Sequence, residues 1–385
     1  MRYDFDTPVE RRGTDSLKWD VGEGELPMWV ADMDFETAPE IREAIARRAA
    51  HGIYGYTNLP ADWADAYADW WRDRHHYAME KDSLIFVTGV VPAISSLVRK
   101  LTTPGERVLV QTPVYNIFFN SIVNSGRFPA ECPLVYRDGQ YDVDFAALEA
   151  ALSDPQVSLM ILCNPHNPVG RIWDAERLSR IGALCKRYGV TVISDEIHCD
   201  LTDPGREYVP FGSVSEICRE ISVTCLAPTK AFNLAGIQTA AVSVPEPRLR
   251  HKVWRALNTD EVAEPNVFAG IAAAAAFRHG GPWLDALRAY LYENKQLAAR
   301  YLAENVPAVR WVRSEATYLM WLDVSALPDA ANFARVLREK TGLYLSAGGV
   351  YRGNGADFLR MNIACPRVRL EDGLERLKRG VESVL

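Results

Sequence analysis

The chain has 385 residues, 48% of them hydrophobic and 24% charged, a globular balance that leaves room for two or three domains or one large α/β unit with a satellite. Lys and Arg number 43 against 50 Asp and Glu, a formal charge of −7, which excludes the overall basic footprint of a nucleic-acid binder. No run approaches the ~18 apolar residues of a membrane-spanning helix.

The first firm helix is predicted over 38–50. Thr37 and Glu40 are spaced for a capping box, Pro39 lies in the first turn and Gly52 follows the end. From residue 83 strands and helices alternate. A strand over 84–87 ends at Thr88-Gly89, a helix follows over 91–101, and a strand over 107–111 stops at Thr112-Pro113. A wholly apolar strand over 157–163 runs into Asn164-Pro165. Leu178, Ile181, Leu184, Cys185 and Tyr188 recur at helical spacing, with Gly189 as the cap. Strands over 190–194, 221–226 and 239–244 complete the set. Apolar runs without polar alternation suit strands covered on both faces, so the expected large unit is α/β, a mostly parallel, seven-stranded-type sheet covered by helices. After residue 285 the texture becomes α+β: helices over 286–304, 329–341 and 370–385 flank strands near 318–324 and 358–364.

The seven cysteines are scattered, with no CxxC pair and no zinc spacing, so they read as free, mostly buried thiols of a reducing compartment. The amino terminus lacks the apolar core of a signal peptide. The expected location is the cytoplasm, and no metal site is expected.

In a doubly wound sheet, ligands bind beyond the carboxyl ends of the strands, and four polar clusters punctuate those ends. Thr88-Gly89-Val90-Val91 turns a strand into a helix whose N-terminus favours phosphate, although many such turns hold no ligand. Asn164-Pro165-His166-Asn167-Pro168 imposes a fixed non-helical path, either a rigid surface turn or a mount for the Asn167 amide; His166 reads as a loop histidine. Ser194-Asp195-Glu196-Ile197-His198 carries an acid pair suited to Mg²⁺, to acid–base work or to a solvated strand end. Asp195 is its crevice candidate, and Glu196 points the other way by alternation. Ala227-Pro228-Thr229-Lys230-Ala231-Phe232-Asn233 places a lysine where desolvation would lower its pKa and make the amine nucleophilic.

In this chain order the clusters resemble the fold-type I pyridoxal-phosphate enzymes of the class I/II aminotransferase superfamily. The residues of 28–35 (MWVADMDF), 54–57 (YGYT), 195–200 (DEIHCD) and 358–367 (FLRMNIACPR) narrow the resemblance to the MalY/PatB-type cystathionine β-lyases. The resemblance implies that Lys230 bonds the cofactor pyridoxal 5′-phosphate, that Asp195 pairs with its pyridine nitrogen, and that Asn167 reaches its 3′-oxygen. Tyr115 matches the aromatic on the ring face. Gly89, Val90 and Val91 match the phosphate turn, to which Thr229 can add a hydroxyl. His198 stands where aspartate aminotransferase-like enzymes carry a tyrosine, and is expected near the 3′-oxygen. Arg360 matches the arginine that grips the substrate α-carboxylate, with Asn167, Tyr56 and Met33 expected beside the substrate. Tyr56 matches a tyrosine that reaches the phosphate from a partner subunit, so a homodimer is implied. The sequence departs from the aspartate aminotransferase-like pattern at two phosphate positions, where it has Ala227 and Gln238.

The implied activity is α,β-elimination of L-cystathionine or other cysteine S-conjugates, with Lys230, Asp195 and Tyr115 as catalytic residues. An aminotransferase on the same scaffold is the alternative, because both reactions share removal of the Cα proton. A further role as a regulatory, protein-binding surface is less favoured. Residues 28–35 and Arg360 must line one crevice with Lys230. The expected division is therefore a large domain over 46–285 and a small domain joining 1–45 to 286–385.

Overall fold

The computed structural model describes residues 3–385. Its centre is a seven-stranded sheet. In chain order the strands are β1 (Leu84–Val87), β2 (Arg107–Thr112), β3 (Phe128–Pro133), β4 (Val157–Cys163), β5 (Thr191–Asp195), β6 (Ser222–Leu226) and β7 (Ala240–Ser243). Their spatial order is β1-β7-β6-β5-β4-β2-β3. All neighbours are parallel except β7, which runs antiparallel to both β1 and β6. The expectation of a mostly parallel sheet holds.

The strand sequences explain this placement. Every residue of β6 and β7 is buried, as are six of the seven in β4. Fully burying each Val, Leu or Ile contributes roughly 1.5–3 kcal/mol, so unbroken apolar runs are stable only with helices on both faces. One face packs on the helix Val90–Leu101, whose Val90, Ala93, Ile94 and Leu97 are buried. The other packs on the helix Ala175–Arg187, whose Leu178, Ile181, Leu184 and Cys185 form the anticipated stripe. Gly189 has φ +72°, the left-handed geometry expected after that helix.

A second sheet of four strands comprises β8 (Arg310–Val312), β9 (Leu319–Asp323), β10 (Ser346–Ala347) and β11 (Phe358–Asn362), in the order β8-β9-β11-β10. The short strand Leu26–Pro27 pairs in parallel with Leu343–Tyr344, which ties the amino-terminal segment to this carboxyl-terminal region. The helices Gly281–Asn305, Phe333–Thr341 and Arg367–Glu382 accompany it.

The capping box is not formed. Ala38 is the N-cap of helix Pro39–Ala50 and makes no side-chain cap bond, so Thr37 sits one position too early for Glu40 to be its N3 partner. Thr37 Oγ1 and Glu40 Oε2 are both buried without a hydrogen-bond partner. The sequence reading also passed over the helix Trp63–His75. Its buried Trp63, Tyr67, Trp70 and Trp71 pack on the Ala-rich helix Ala269–His279, with the Tyr67 and Phe277 rings 4.6 Å apart. The alanines there are small because bulky rings fill the space opposite. All seven cysteines are free and buried.

Candidate active site

The clusters converge at the carboxyl edge of the central sheet. Gly89 follows β1, Tyr115 follows β2, Asn167 follows β4, Asp195 ends β5 and Lys230 follows β6. Arg360 arrives from the second sheet, on β11. Between the sheets lies a cavity of about 790 Å³ that includes Lys230, Arg360, Tyr115 and Tyr351 among its walls.

Lys230 donates to the carbonyl of Ala31 at 2.6 Å, and Tyr318 Oη donates to the same oxygen at 3.0 Å. Burial lowers the lysine pKa to about 8, with the Arg360 charge acting in the same direction. Asp195 is buried and accepts one backbone bond, from Ile197 at 3.1 Å. Burial pushes its carboxyl up to about 6, against the opposing pull of that bond and of Lys230. Glu196 faces away, accepting from Ser194 at 2.7 Å and the Phe211 amide at 2.9 Å, with Tyr208 as a third partner. Burial raises its carboxyl to about 8.

Arg360 donates to Asn167 Oδ1 at 3.1 Å and to the Trp29 carbonyl at 3.0 Å, and lies 5.0 Å over the Tyr351 ring. Its Nε is buried without a partner. His198 is buried and its Nδ1 is likewise unpartnered. Burial, then Lys230 and Arg360, hold its pKa down at about 3, so the imidazole is neutral. The ring sits 6.4 Å from that of Tyr318. Tyr115 packs edge-on against Phe118, and burial raises its pKa.

Within the single chain, Met33 and Tyr56 do not reach this cavity. Met33 is 1% exposed, within the main core cluster, and the cavity wall from its segment is formed by Trp29, Val30 and Ala31 instead. The reason is the fixing of the segment by its backbone, since Asn233 bonds both the Met33 amide and the Met33 and Phe35 carbonyls. Tyr56 is fully exposed and borders a different, outward depression with Tyr54 and Phe268. Gln238 is exposed. His166 is no surface loop residue: it is buried, its Nε2 lies 2.8 Å from the Pro113 carbonyl, and burial lowers its pKa to about 4. The Asn-Pro segment around it is buried throughout, and Gly170 shows why it ends as it does. At φ +68°, a Cβ there would come within 2.4 Å of Ser314 Cβ.

The arrangement fits a flat, phosphorylated, pyridine-bearing group. A buried carboxylate with a single bond gains from a cationic N–H. The unpartnered His198 Nδ1 and Arg360 Nε await polar partners. The helix Val90–Leu101 begins with no side-chain cap bond, so its first amides remain for an anion. His75, Cys199 and Asp200 bring ligand atoms within 4.8 Å of one another. The bonds they make are internal, since His75 and Trp70 each reach Asp200 Oδ1 at 2.9 Å and anchor the helix Trp63–His75 to the turn after β5.

The profile of the family aminotransferase class I and II matches residues 25–377. The chain belongs to this family. Within it, the chain is 44% identical to cystathionine beta-lyase PatB of Bacillus subtilis, over 97% of this chain and 98% of that protein. It is 33% identical to protein MalY of Escherichia coli, over 99% and 100%. Among solved structures, cystalysin from Treponema denticola, which contains a pyridoxal 5′-phosphate cofactor, superposes with a TM-score of 0.95 at 32% identity, covering all of both chains.

The sequence reading missed Tyr318, Asn362 and the carbonyls of 29–32. Asn362 donates to the Val30 and Asp32 carbonyls at 2.6 Å each. It lies inside the quoted 358–367 motif, so its signal was present. Tyr318 had none, and backbone carbonyls carry no sequence signature.

Proposed function

We propose that this family member is a pyridoxal-phosphate-dependent carbon–sulfur β-lyase. It cleaves L-cystathionine or other cysteine S-conjugates to a thiol, pyruvate and ammonia. The observation that carries the reading is that Lys230 and the buried Arg360 line one cavity, while the buried carboxylate of Asp195, at the neighbouring strand end, lies close enough to feel the Lys230 charge. Relatedness to cystathionine beta-lyase PatB of Bacillus subtilis directs it to elimination.

Lys230 would hold the cofactor covalently and Asp195 would face its pyridine nitrogen. Thr229, Asn167, His198 and the first-turn amides of Gly89, Val90 and Val91 would supply its remaining polar contacts. When bound, the cofactor supplies an electron-withdrawing ring that takes up the electron pair left at Cα. Arg360 fixes the substrate α-carboxylate, exchanging its bonds to Asn167 and Trp29 for a bidentate grip. Lys230 would be freed when the substrate amine takes its place on the cofactor; with a pKa lowered to about 8, the released amine has a substantial neutral fraction near pH 8 and would remove the Cα proton as general base. Asp195 keeps the facing nitrogen protonated by its charge. The Cβ–S bond then breaks, the thiolate takes a proton from Lys230 or water, and the released aminoacrylate hydrolyses to pyruvate and ammonia.

The working unit in this reading is a homodimer of two-lobed subunits divided near residues 46 and 285, and its location is the cytoplasm. Residues 51–56 are exposed throughout and carry Ile53, Tyr54 and Tyr56, an apolar stretch suited to burial against a second copy. No helix among the described residues is long and apolar enough to cross a membrane.

The test is incubation of the cofactor-loaded protein with L-cystathionine and no keto acid. Pyruvate and homocysteine released in equal amounts support elimination. Turnover that appears only on adding a keto-acid acceptor would assign the chain to transamination instead.

A further inference from the structure

The catalytic reading leaves the outer half of the cavity without a task. Beyond Lys230 and Arg360 the walls include Trp29, Tyr344, Leu345 and Val350, with Arg335, Arg338 and Glu339 from the helix Phe333–Thr341. Trp29 and Tyr344 are half-buried and stack at 4.8 Å with an interplanar angle of 18°. Arg338 lies 3.8 Å from the Tyr344 ring centroid. Its charge is already committed, because Nε and Nη2 bond the two oxygens of Glu25 at 2.6 and 2.8 Å. The Arg335 guanidinium is held by both oxygens of Glu339, at 2.8 and 2.9 Å. Leu17 and Val350, two of the exposed large apolar side chains, stand on the same wall.

A leaving group entering this region therefore meets aromatic and aliphatic surface and no unpaired charge. The homocysteine arm of cystathionine ends in an ammonium and a carboxylate. Here its charges would find polar groups only at Asn116, Ser346 and the already paired Arg335, Arg338 and Glu339, and so would gain no free counter-charge. An apolar or aromatic thiol gains from burial and from contact with the Trp29–Tyr344 pair. We infer that this surface is the leaving-group subsite, and that the preferred substrates are cysteine S-conjugates with bulky apolar or aromatic thiols rather than cystathionine. The inference rests on the lyase reading above and specifies its substrate class.

Pyruvate release by the cofactor-loaded protein from S-benzyl-L-cysteine, S-methyl-L-cysteine and L-cystathionine tests it. The expected kcat/KM for S-benzyl-L-cysteine exceeds that for L-cystathionine by about tenfold or more. Tyr344→Ala should lower kcat/KM for S-benzyl-L-cysteine about tenfold more than for S-methyl-L-cysteine, whose one-carbon arm carries little apolar surface. Tyr344→Phe, which keeps the ring, should preserve the wild-type ratio and control for folding. Glu25→Gln uncouples Arg338 and should raise L-cystathionine relative to S-benzyl-L-cysteine. A wild-type preference for L-cystathionine, or a Tyr344→Ala loss of equal size on all three substrates, overturns the inference. Pyruvate from none of the three overturns the lyase reading itself.

Discussion

The floor of the cavity and the segment 28–35 that closes over it are held in place by different physics. On the floor, Asp195 and Lys230 sit at or just beyond the ends of buried strands, so the packing of the whole sheet fixes them. The segment 28–35 has no regular structure of its own. It is suspended by side chains that bond its backbone carbonyls: Arg360 on Trp29, Asn362 on Val30 and Asp32, Tyr318 and Lys230 on Ala31, Asn233 on Met33 and Phe35. Beneath it, Lys18, Arg11 and Arg369 surround the buried Asp34. The floor derives its geometry from many small apolar contacts, whereas the segment adds directed polar bonds to the core packing of Met28, Met33 and Phe35. Losing one floor residue should change chemistry while the frame survives, whereas losing one suspending residue should loosen the frame.

The sharpest break in this comparison is Lys230→Ala. The frame should stay folded with near-wild-type circular dichroism. Turnover should fall by about 10³-fold or more, since the general base and the bond to the cofactor disappear together. Retention of lyase turnover and of a visible cofactor band would remove Lys230 from its assigned role.

Arg360→Gln comes next because the residue belongs to both regions. It should raise KM and lower kcat/KM by roughly 10²-fold, as expected when a buried charge-assisted grip is lost. It should also act on Lys230. The neutral amine is the reactive form and exists above its pKa, so uptake of pyridoxal phosphate by the apoprotein should accelerate as pH rises through about 8. Removing the Arg360 charge takes away one cause of the lowered pKa, so that midpoint should move upward in the variant. An unmoved midpoint would mean that the two cations do not feel one another.

The same contrast explains how much could be read beforehand. Strands β1, β4 and β5, and the punctuating Asn167, Asp195 and Lys230, were legible because a doubly buried strand must be apolar and must stop where the ligand begins. The fault at Thr37 was one residue of register, which propensity cannot resolve. The segment 28–35 was recognisable only as a motif, and the motif misled at Met33. Its conspicuous side chain faces the core, while its neighbours' carbonyls face Lys230 and Arg360. Residues that act through backbone acceptors leave no pattern in spacing or polarity, which is also why Tyr318 went unseen. Tyr56 lay outside any reading confined to one chain.

Asn362→Ala should sharpen the comparison from the side of the segment. Three bonds disappear, two to the Val30 and Asp32 carbonyls and one from the Ala364 amide at 2.8 Å, and buried polar groups lose their partners. Stability should drop on the order of 3 kcal/mol, read as a lower denaturant midpoint. Activity should decline about tenfold without any change in the pH profile, because no titrating group is touched. A pH profile that moved would place Asn362 in the chemistry and not in the suspension.

The smallest effect belongs to Tyr318→Phe. The Ala31 carbonyl accepts from both Tyr318 and Lys230, so removing the phenol leaves it one donor, and the phenylalanine introduces no orphaned group. The loss should be about 0.5–1.5 kcal/mol of stability. That is close to what the floor tolerates, and kcat/KM should fall by no more than about tenfold. Once Lys230 is engaged with the cofactor, however, Tyr318 becomes the remaining side-chain donor to Ala31. The variant should therefore lose more stability in the cofactor-loaded protein than in the apoprotein, and paired denaturation curves read that difference directly. Equal losses in both forms would mean that the segment keeps its place through its other bonds, those from Asn233, Asn362 and Arg360 among them, and that the Ala31 bonds follow its position without determining it.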